Sequence, residues 1–236
     1  MNLYTRLINK DHPLPPDYVP ENLTDIGIPF DAPCGDPKRL LEIRTAHAAL
    51  MLIQAAQRES LILTGISGYR SYKRQQQLCI GHSNPASSTP YQQISPAPVN
   101  PYVALPGTSE HQSGLALDVS CPAVNHELIT EFAETPEGKW LVRNASLYGF
   151  IIRYPANKES VTGIPWEPWH IRYVTRPLAS CLALTGLTLE NTTLPSVHLY
   201  KILKQQSHNL YFSIFSMLLP IIFICLASSD ISIIRL

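Results

Sequence analysis

Three separated stretches of the chain carry side chains that could do chemistry together. TSEHQSGLALD (108–118) sets His111 and Asp118 seven positions apart around Gly114. WEPWH (166–170) sets Glu167 three residues before His170, and SGYRSYKRQ (67–75) carries Arg70 with Gln75 behind it. A catalytic zinc site typically takes three protein ligands and keeps one position for water, and two imidazoles with a carboxylate suit that metal. On one straight strand, residues seven apart face opposite ways. A backbone turn at Gly114 would let His111 and Asp118 converge. His170 is the natural third ligand if its strand neighbours that of Asp118.

Glu167 stands where a general base beside the metal would stand, able to take a proton from water and pass it to a leaving amine. Pro168 argues against a helix there, so this is not the helical H-E-x-x-H arrangement. An extended Glu-x-x-His needs a bend before both side chains reach one cavity. Arg70, after a strand end, could neutralise an oxyanion or grip a carboxylate, with Gln75 positioning the same group. Each piece also has a plainer reading: His111 as a loop histidine, Asp118 as a strand-end carboxylate, Arg70 as a surface charge in a turn. Trp166 and Trp169 fit a dry cavity wall or simply a core.

These residues need elements to hold them. Seven prolines between residues 11 and 37 exclude a helix and predict an extended arm over the domain. A helix is expected from about Pro37 to Glu59, with Asp36 as N-cap and Leu40, Ile43, His47, Leu50, Met51 and Ile53 near its apolar face. SLILTGIS (60–67) reads as a buried strand and YRSYKRQQQLC (69–79) as a short helix. Residues 80–107 are rich in proline and serine, without periodicity; this stretch is expected to form a rim or lid beside the site, or a dispensable insertion. GLALDVS (114–120) alternates as a strand. Thr135 caps the next helix with Pro136 at its first position, Trp140, Leu141, Ala145 and Tyr148 line its inner side, and Gly149 ends it. FIIRYP (150–155) and a strand carrying His170, Arg172 and Val174 on one face complete an α+β expectation, a small antiparallel sheet with packed helices.

The chain has 236 residues, with 18 basic and 18 acidic side chains, so no long-range field draws it to nucleic acid. Five cysteines show no C-x-x-C pair and do not decide the compartment. The first residues, MNLYTRLINKDHPLPPDYVP, lack the apolar run of a secretory signal. Residues 210–227 form an uncharged stretch of 18 residues at the short end for a membrane-spanning helix, with a buried helix as the other reading. The expected organisation is an arm over 1–36, a domain over 37–187 and a tail over 188–236.

SGYRSYKRQ, GTSEHQSGLALDVS and EPWHIRYV, in this order, resemble the zinc D-alanyl-D-alanine carboxypeptidases of the vancomycin-resistance type, whose fold is shared with the Hedgehog signalling domain. INKDHPLPPDYVP (8–20) and TPEGKWLVRNASLYGFIIRYP (135–155) extend the resemblance to roughly residues 8–187, with the proline-rich loop as its least typical part. The S-x-H-x-x-G-x-A-x-D pattern at Ser109, His111, Gly114, Ala116 and Asp118 is specific. The resemblance implies one zinc per chain, bound by His111, Asp118 and His170, with Glu167 as base and Arg70 stabilising the oxyanion. It implies that Ser109 and Gln75 hold the peptide terminus, and Trp169 and Tyr69 are expected beside the substrate. The implied activity is removal of the C-terminal D-alanine from peptidoglycan stem peptides or precursors. That substrate points to the cell envelope, with anchoring through residues 210–227 or action on cytoplasmic precursors both open, and a monomer is expected. An L,D-carboxypeptidase, a D,D-dipeptidase and a non-catalytic peptidoglycan-binding module are the alternatives.

Overall fold

None of the five side chains of Ala116–Ser120 is exposed on either face, which marks a strand at the centre of a covered sheet. The computed structural model describes residues 3–81 and 104–193. In chain order the elements are β1 (Leu23–Thr24), β2 (Leu41–Glu42), α1 (Ile43–Arg58), β3 (Thr64–Ser67), α2 (Tyr72–Gly81) and β4 (Ala116–Ser120). They continue with α3 (Pro136–Asn144), β5 (Phe150–Tyr154), α4 (Glu159–Thr162), β6 (Glu167–Tyr173) and α5 (Arg176–Thr185). The main sheet has the order β3-β4-β6-β5 and every pairing in it is antiparallel. The α+β expectation therefore holds.

Strand alternation sorts the sheet into a structural face and a chemical one. Leu117, Val119 and Ile171 point into a core shared with Leu52, Ile53 and Ala56 of α1 and with Trp140 and Leu141 of α3. Each fully buried Leu or Ile there contributes about 1.5–3 kcal/mol. Asp118 and His170 lie between those residues on the other face, and they are direct partners across the β4–β6 ladder. A second apolar cluster, Leu7, Ile151, Val174, Leu178, Leu182 and Leu189 among its members, closes the edge around α5.

Helix α1 begins six residues later than the spacing predicts. Asp36 Oδ1 does cap, accepting from Lys38 N at 2.9 Å, but it caps a single 3-10 turn over Pro37–Arg39. Leu40 is then extended, and Leu41 and Glu42 pair with Thr24 and Leu23. The Glu42 carboxylate accepts from Arg44 N and Thr45 N, both at 3.0 Å, and starts the helix at Ile43. The buried stripe is Thr45, Ala46, Ala49, Leu52, Ile53 and Ala56, while His47 and Met51 are exposed. Small alanines let the helix lie close on the sheet, and a pattern read from large apolar residues misses them.

Helix α3 follows its capping residues as expected: Thr135 Oγ1 accepts from Gly138 N at 3.0 Å, and Gly149 takes the left-handed conformation after the 3-10 turn Ala145–Tyr148. The proline-rich arm lies along the domain, held where Gln112 Nε2 donates to Pro15 O and Tyr18 O and Leu14 N donates to Gly107 O. At the other end, packing continues past the expected boundary at 187. Leu189 is fully buried, and Glu190 Oε1 lies 2.6 Å from Arg153 Nη2. Most of the 80–107 loop and the apolar stretch at 210–227 lie outside the described residues. Among the described residues, no helix is long and apolar enough to cross a membrane.

Candidate active site

Three elements bring the chemistry-bearing residues to one place. The 3-10 turn Glu110–Ser113 carries His111 and ends at Gly114, whose φ of +70° turns the chain into β4 and so towards Asp118. Only glycine fits: a Cβ there would lie 2.9 Å from Glu42 N, whose N–H donates to Gly114 O. Asp118 and His170 then stand side by side on β4 and β6. His111 Nε2 lies 3.1 Å from Asp118 Oδ2 and His170 Nδ1 lies 2.9 Å from Asp118 Oδ1, with the two imidazoles edge to face at 5.0 Å.

One donor atom from each of His111, Asp118 and His170 lies within 4.8 Å of the others, and all three residues are buried. Two imidazole nitrogens and a carboxylate in this arrangement fit a zinc ion with a position left open. The outer nitrogen of His111 is already engaged, Nδ1 lying 2.7 Å from Gly68 O, so Nε2 is the one turned to the centre. Gly68 is confined in turn, since a Cβ on it would lie 2.5 Å from Leu40 O. Burial works against charge on Asp118, yet the adjacent imidazoles hold its carboxyl far below the usual range.

Glu167 reaches the same centre, its Oε2 lying 3.8 Å from His170 Nδ1. The bend this needs is a register shift. β5 advances two residues from Ile152 to Tyr154 while β6 runs four, from Ile171 back to Glu167. Regular alternation is interrupted at Pro168 and Trp169, and Glu167 and His170 line the same cavity. Burial pushes the Glu167 carboxyl up to about 7, more than the nearby His170 and Arg70 pull it down. A carboxyl tuned near neutrality can both accept and return a proton.

Arg70 follows β3, and its guanidinium is aimed by two bonds: Nη1 donates to Gln75 Oε1 and Nη2 to Ser67 Oγ, each at 3.0 Å. Its Nη2 stands 3.9 Å from Asp118 Oδ2. These groups line one side of a cavity of about 560 Å³, with Ser109 and Trp169 also on its wall and Leu128, Ile129 and Ile164 supplying an apolar part. The structure thus gathers His111, Asp118, His170, Glu167, Arg70, Ser109 and Trp169 around one space. Gln75 and Tyr69 are placed differently from the sequence reading. Gln75 is almost fully buried and is spent on Arg70 and on Ala104 O, to which its Nε2 donates at 2.6 Å. Tyr69 is buried, its N–H donating to Leu40 O, and it is not part of the cavity wall. Adjacent residues on an extended chain point opposite ways, so Arg70 entering the site sends Tyr69 out of it.

Sequence reasoning missed a buried ionic group behind the cavity. Glu110 is inaccessible to solvent, and its Oε1 lies 2.8 Å from both Arg153 Nε and Arg172 Nη1. Glu110 sits inside the quoted motif, between Ser109 and His111, but its partners are on β5 and β6, and no local spacing joins them.

A family profile described as VanY, D-alanyl-D-alanine carboxypeptidase, matches residues 38–176, more than half of the chain, a span that includes His111, Asp118, His170, Glu167, Arg70, Ser109 and Trp169. The chain belongs to this family. The putative carboxypeptidase YodJ of Bacillus subtilis (strain 168) is 40% identical over 184 residues, which cover 78% of this chain and 64% of that protein. This chain thus spans somewhat less than two thirds of that relative's length. Among solved structures, the LD-carboxypeptidase LdcB superposes with a TM-score of 0.71 at 38% identity, over 78% of this chain and 82% of that one. A mutant of the vancomycin-resistance D,D-pentapeptidase VanY, from a VanB-type cassette and in complex with Zn(II), gives 0.63 at 31%, over 80% and 98%. Family membership agrees with the resemblance seen in the motifs.

Proposed function

We propose that this protein is a zinc-dependent D,D-carboxypeptidase that removes the C-terminal D-alanine from peptidoglycan stem peptides or their precursors. One observation carries the reading: the buried Glu167 carboxylate and a fixed guanidinium flank the same three-donor centre in one cavity. A binding module has no need of a base, so Glu167 and Arg70 favour an enzyme over a metal-bearing binder.

His111, Asp118 and His170 would hold one zinc ion, which when bound supplies Lewis-acid polarisation of a carbonyl and of water. Glu167 takes a proton from the attacking water and returns it to the amine nitrogen that leaves. Arg70, held by Gln75 and Ser67, donates to the oxygen that gains charge as the carbonyl carbon becomes tetrahedral. Ser109 offers a hydroxyl on the same wall, and Trp169 narrows the space around the scissile bond. The likeness to a D,D-pentapeptidase in complex with Zn(II) supports the metal and the substrate class.

A second reading has its own support. The LD-carboxypeptidase LdcB is more similar in sequence and in superposition than the D,D-pentapeptidase, which favours a tetrapeptide substrate ending in the same D-alanine. Incubating the full chain with pentapeptide and tetrapeptide stems, with and without chelator, separates the readings. Chelator-sensitive D-alanine release from the pentapeptide supports the first, and release from the tetrapeptide alone supports the second. Chelator-sensitive hydrolysis of added free D-alanyl-D-alanine would indicate the dipeptidase. No release from either stem and no hydrolysis of the dipeptide would leave a binding module. A cell-envelope location and a monomeric state belong to the same proposal, and cell fractionation with sedimentation of the purified chain tests both points.

A further inference from the structure

Glu110, Arg153 and Arg172 have no role in the proposed mechanism, although the Glu110 carboxylate is fully enclosed behind the site. Its Oε1 accepts from Arg153 Nε at 2.8 Å and is ion-paired with Arg172 Nη1 at 2.8 Å. Arg172 is anchored further by donating to Arg6 O and to Tyr173 O, and Arg153 by its pair with Glu190. The other oxygen, Oε2, is buried and makes no hydrogen bond. The outer nitrogen of His170, Nε2, is buried and makes none either. The two atoms face one another at 3.6 Å.

Two buried polar groups left over and placed opposite each other have a physical reading. A carboxylate accepts only, so an imidazole nitrogen opposite it carries the proton. With the proton on Nε2, the lone pair is on Nδ1, and Nδ1 is the atom that lies 2.9 Å from Asp118 Oδ1 in the three-donor centre. A shift of about half an ångström brings the pair within ordinary hydrogen-bond distance. His111 solves the same problem with the carbonyl of Gly68. The centre thus has a backbone acceptor behind one imidazole and a carboxylate behind the other, the arrangement that orients metal-binding histidines and raises their basicity.

We propose that Glu110 is a positioning residue for the metal centre: its Oε2 accepts the Nε2–H of His170 so that Nδ1 is presented to the metal, and Arg153 and Arg172 hold the carboxylate in place. The inference rests on the metal-centre reading above. Two arginines on Oε1 explain why a buried carboxylate at this depth keeps its charge, and why its free oxygen has one direction left in which to accept. Arg153 and Glu190 join the group to the last turn of the described chain, so the orientation of a metal ligand depends on residues 80 positions downstream of Glu110.

The test is zinc affinity of the full chain by competition with a chromophoric chelator, for wild type and Glu110→Gln. The amide keeps the shape, but with its oxygen on the arginines it turns an N–H₂ donor towards His170 and favours the wrong tautomer. The expected result is zinc binding weakened by about 10–100-fold, with the metal-free variant still folded by circular dichroism. Unchanged affinity in a folded variant overturns the proposal. Should the variant fail to fold, a long-range ¹H–¹⁵N spectrum of the zinc-loaded wild type decides. A proton on Nε2 of His170 supports the proposal, and a proton on Nδ1 with the metal on Nε2 overturns it. A wild type that binds no zinc would remove the metal reading itself. A zinc-binding wild type with an unaffected variant removes only the role of Glu110.

Discussion

Glu167 and His170 are three residues apart on one strand, yet Oε2 of the first lies 3.8 Å from Nδ1 of the second. On a regular strand they would face opposite sides of the sheet. The register irregularity of β6 opposite the Ile152–Tyr154 step of β5 interrupts that alternation, and both side chains line the same cavity.

Glu167→Gln should therefore abolish turnover while sparing the metal. The amide retains the volume in a buried position but cannot take a proton. D-Alanine release is expected to fall by about 10²–10⁴-fold, the usual range for a general base, with metal content by atomic emission unchanged. Full activity in this variant would refute the mechanism.

His111→Ala and His170→Ala each remove one of three donors that lie within 4.8 Å of one another. Both variants should lose stoichiometric zinc on dialysis. The wild type should also melt higher with zinc than with chelator, because a ligand at about 100 times its Kd stabilises the native state by about 2.7 kcal/mol. That increment should be absent from both variants, as differential scanning calorimetry can check. Wild-type zinc content in either one would take that histidine out of the donor set.

Arg70→Lys is expected to behave as a severe change. The guanidinium bridges Gln75 Oε1 and Ser67 Oγ through two different nitrogens, and a single ammonium cannot keep that planar fork. Loss of one oxyanion donor typically costs about 10²–10³-fold in kcat. Gln75→Leu should give a milder loss in the same direction, since Gln75 acts through Arg70. Steady-state kinetics on both variants checks the order.

Glu42→Ala tests the start of α1 apart from the chemistry. Its carboxylate caps Arg44 N and Thr45 N, so its loss should cost about 0.5–2 kcal/mol. Urea denaturation of the metal-free protein measures this. A cost near zero would mean that the tertiary contacts of α1, and not the cap, set its first turn.

Much of this was legible locally. The caps at Thr135 and Gly149 act on neighbours within a few residues, and both are placed as their residue types predict. The S-x-H-x-x-G-x-A-x-D pattern was legible because Gly114 must turn the chain between His111 and Asp118, a constraint contained within ten residues. Where large apolar residues stood in for the packed face of α1, the reading failed, because alanines chosen for close approach leave a weak pattern.

By itself, the sequence determined which imidazoles, carboxylates and guanidinium the protein owns, and the family to which it belongs. Only the tertiary structure decided how they meet. The cross-strand pairing of Asp118 with His170 and the register shift that turns Glu167 inward depend on strands whose register is set by the whole sheet. The turning of Gln75 to Arg70 and of Tyr69 away from the cavity, and the enclosure of Glu110 between two arginines, depend likewise on contacts made only once the chain is packed. Residue type limits what a side chain can do, while burial and partners, which come from distant parts of the chain, select which of those things it does.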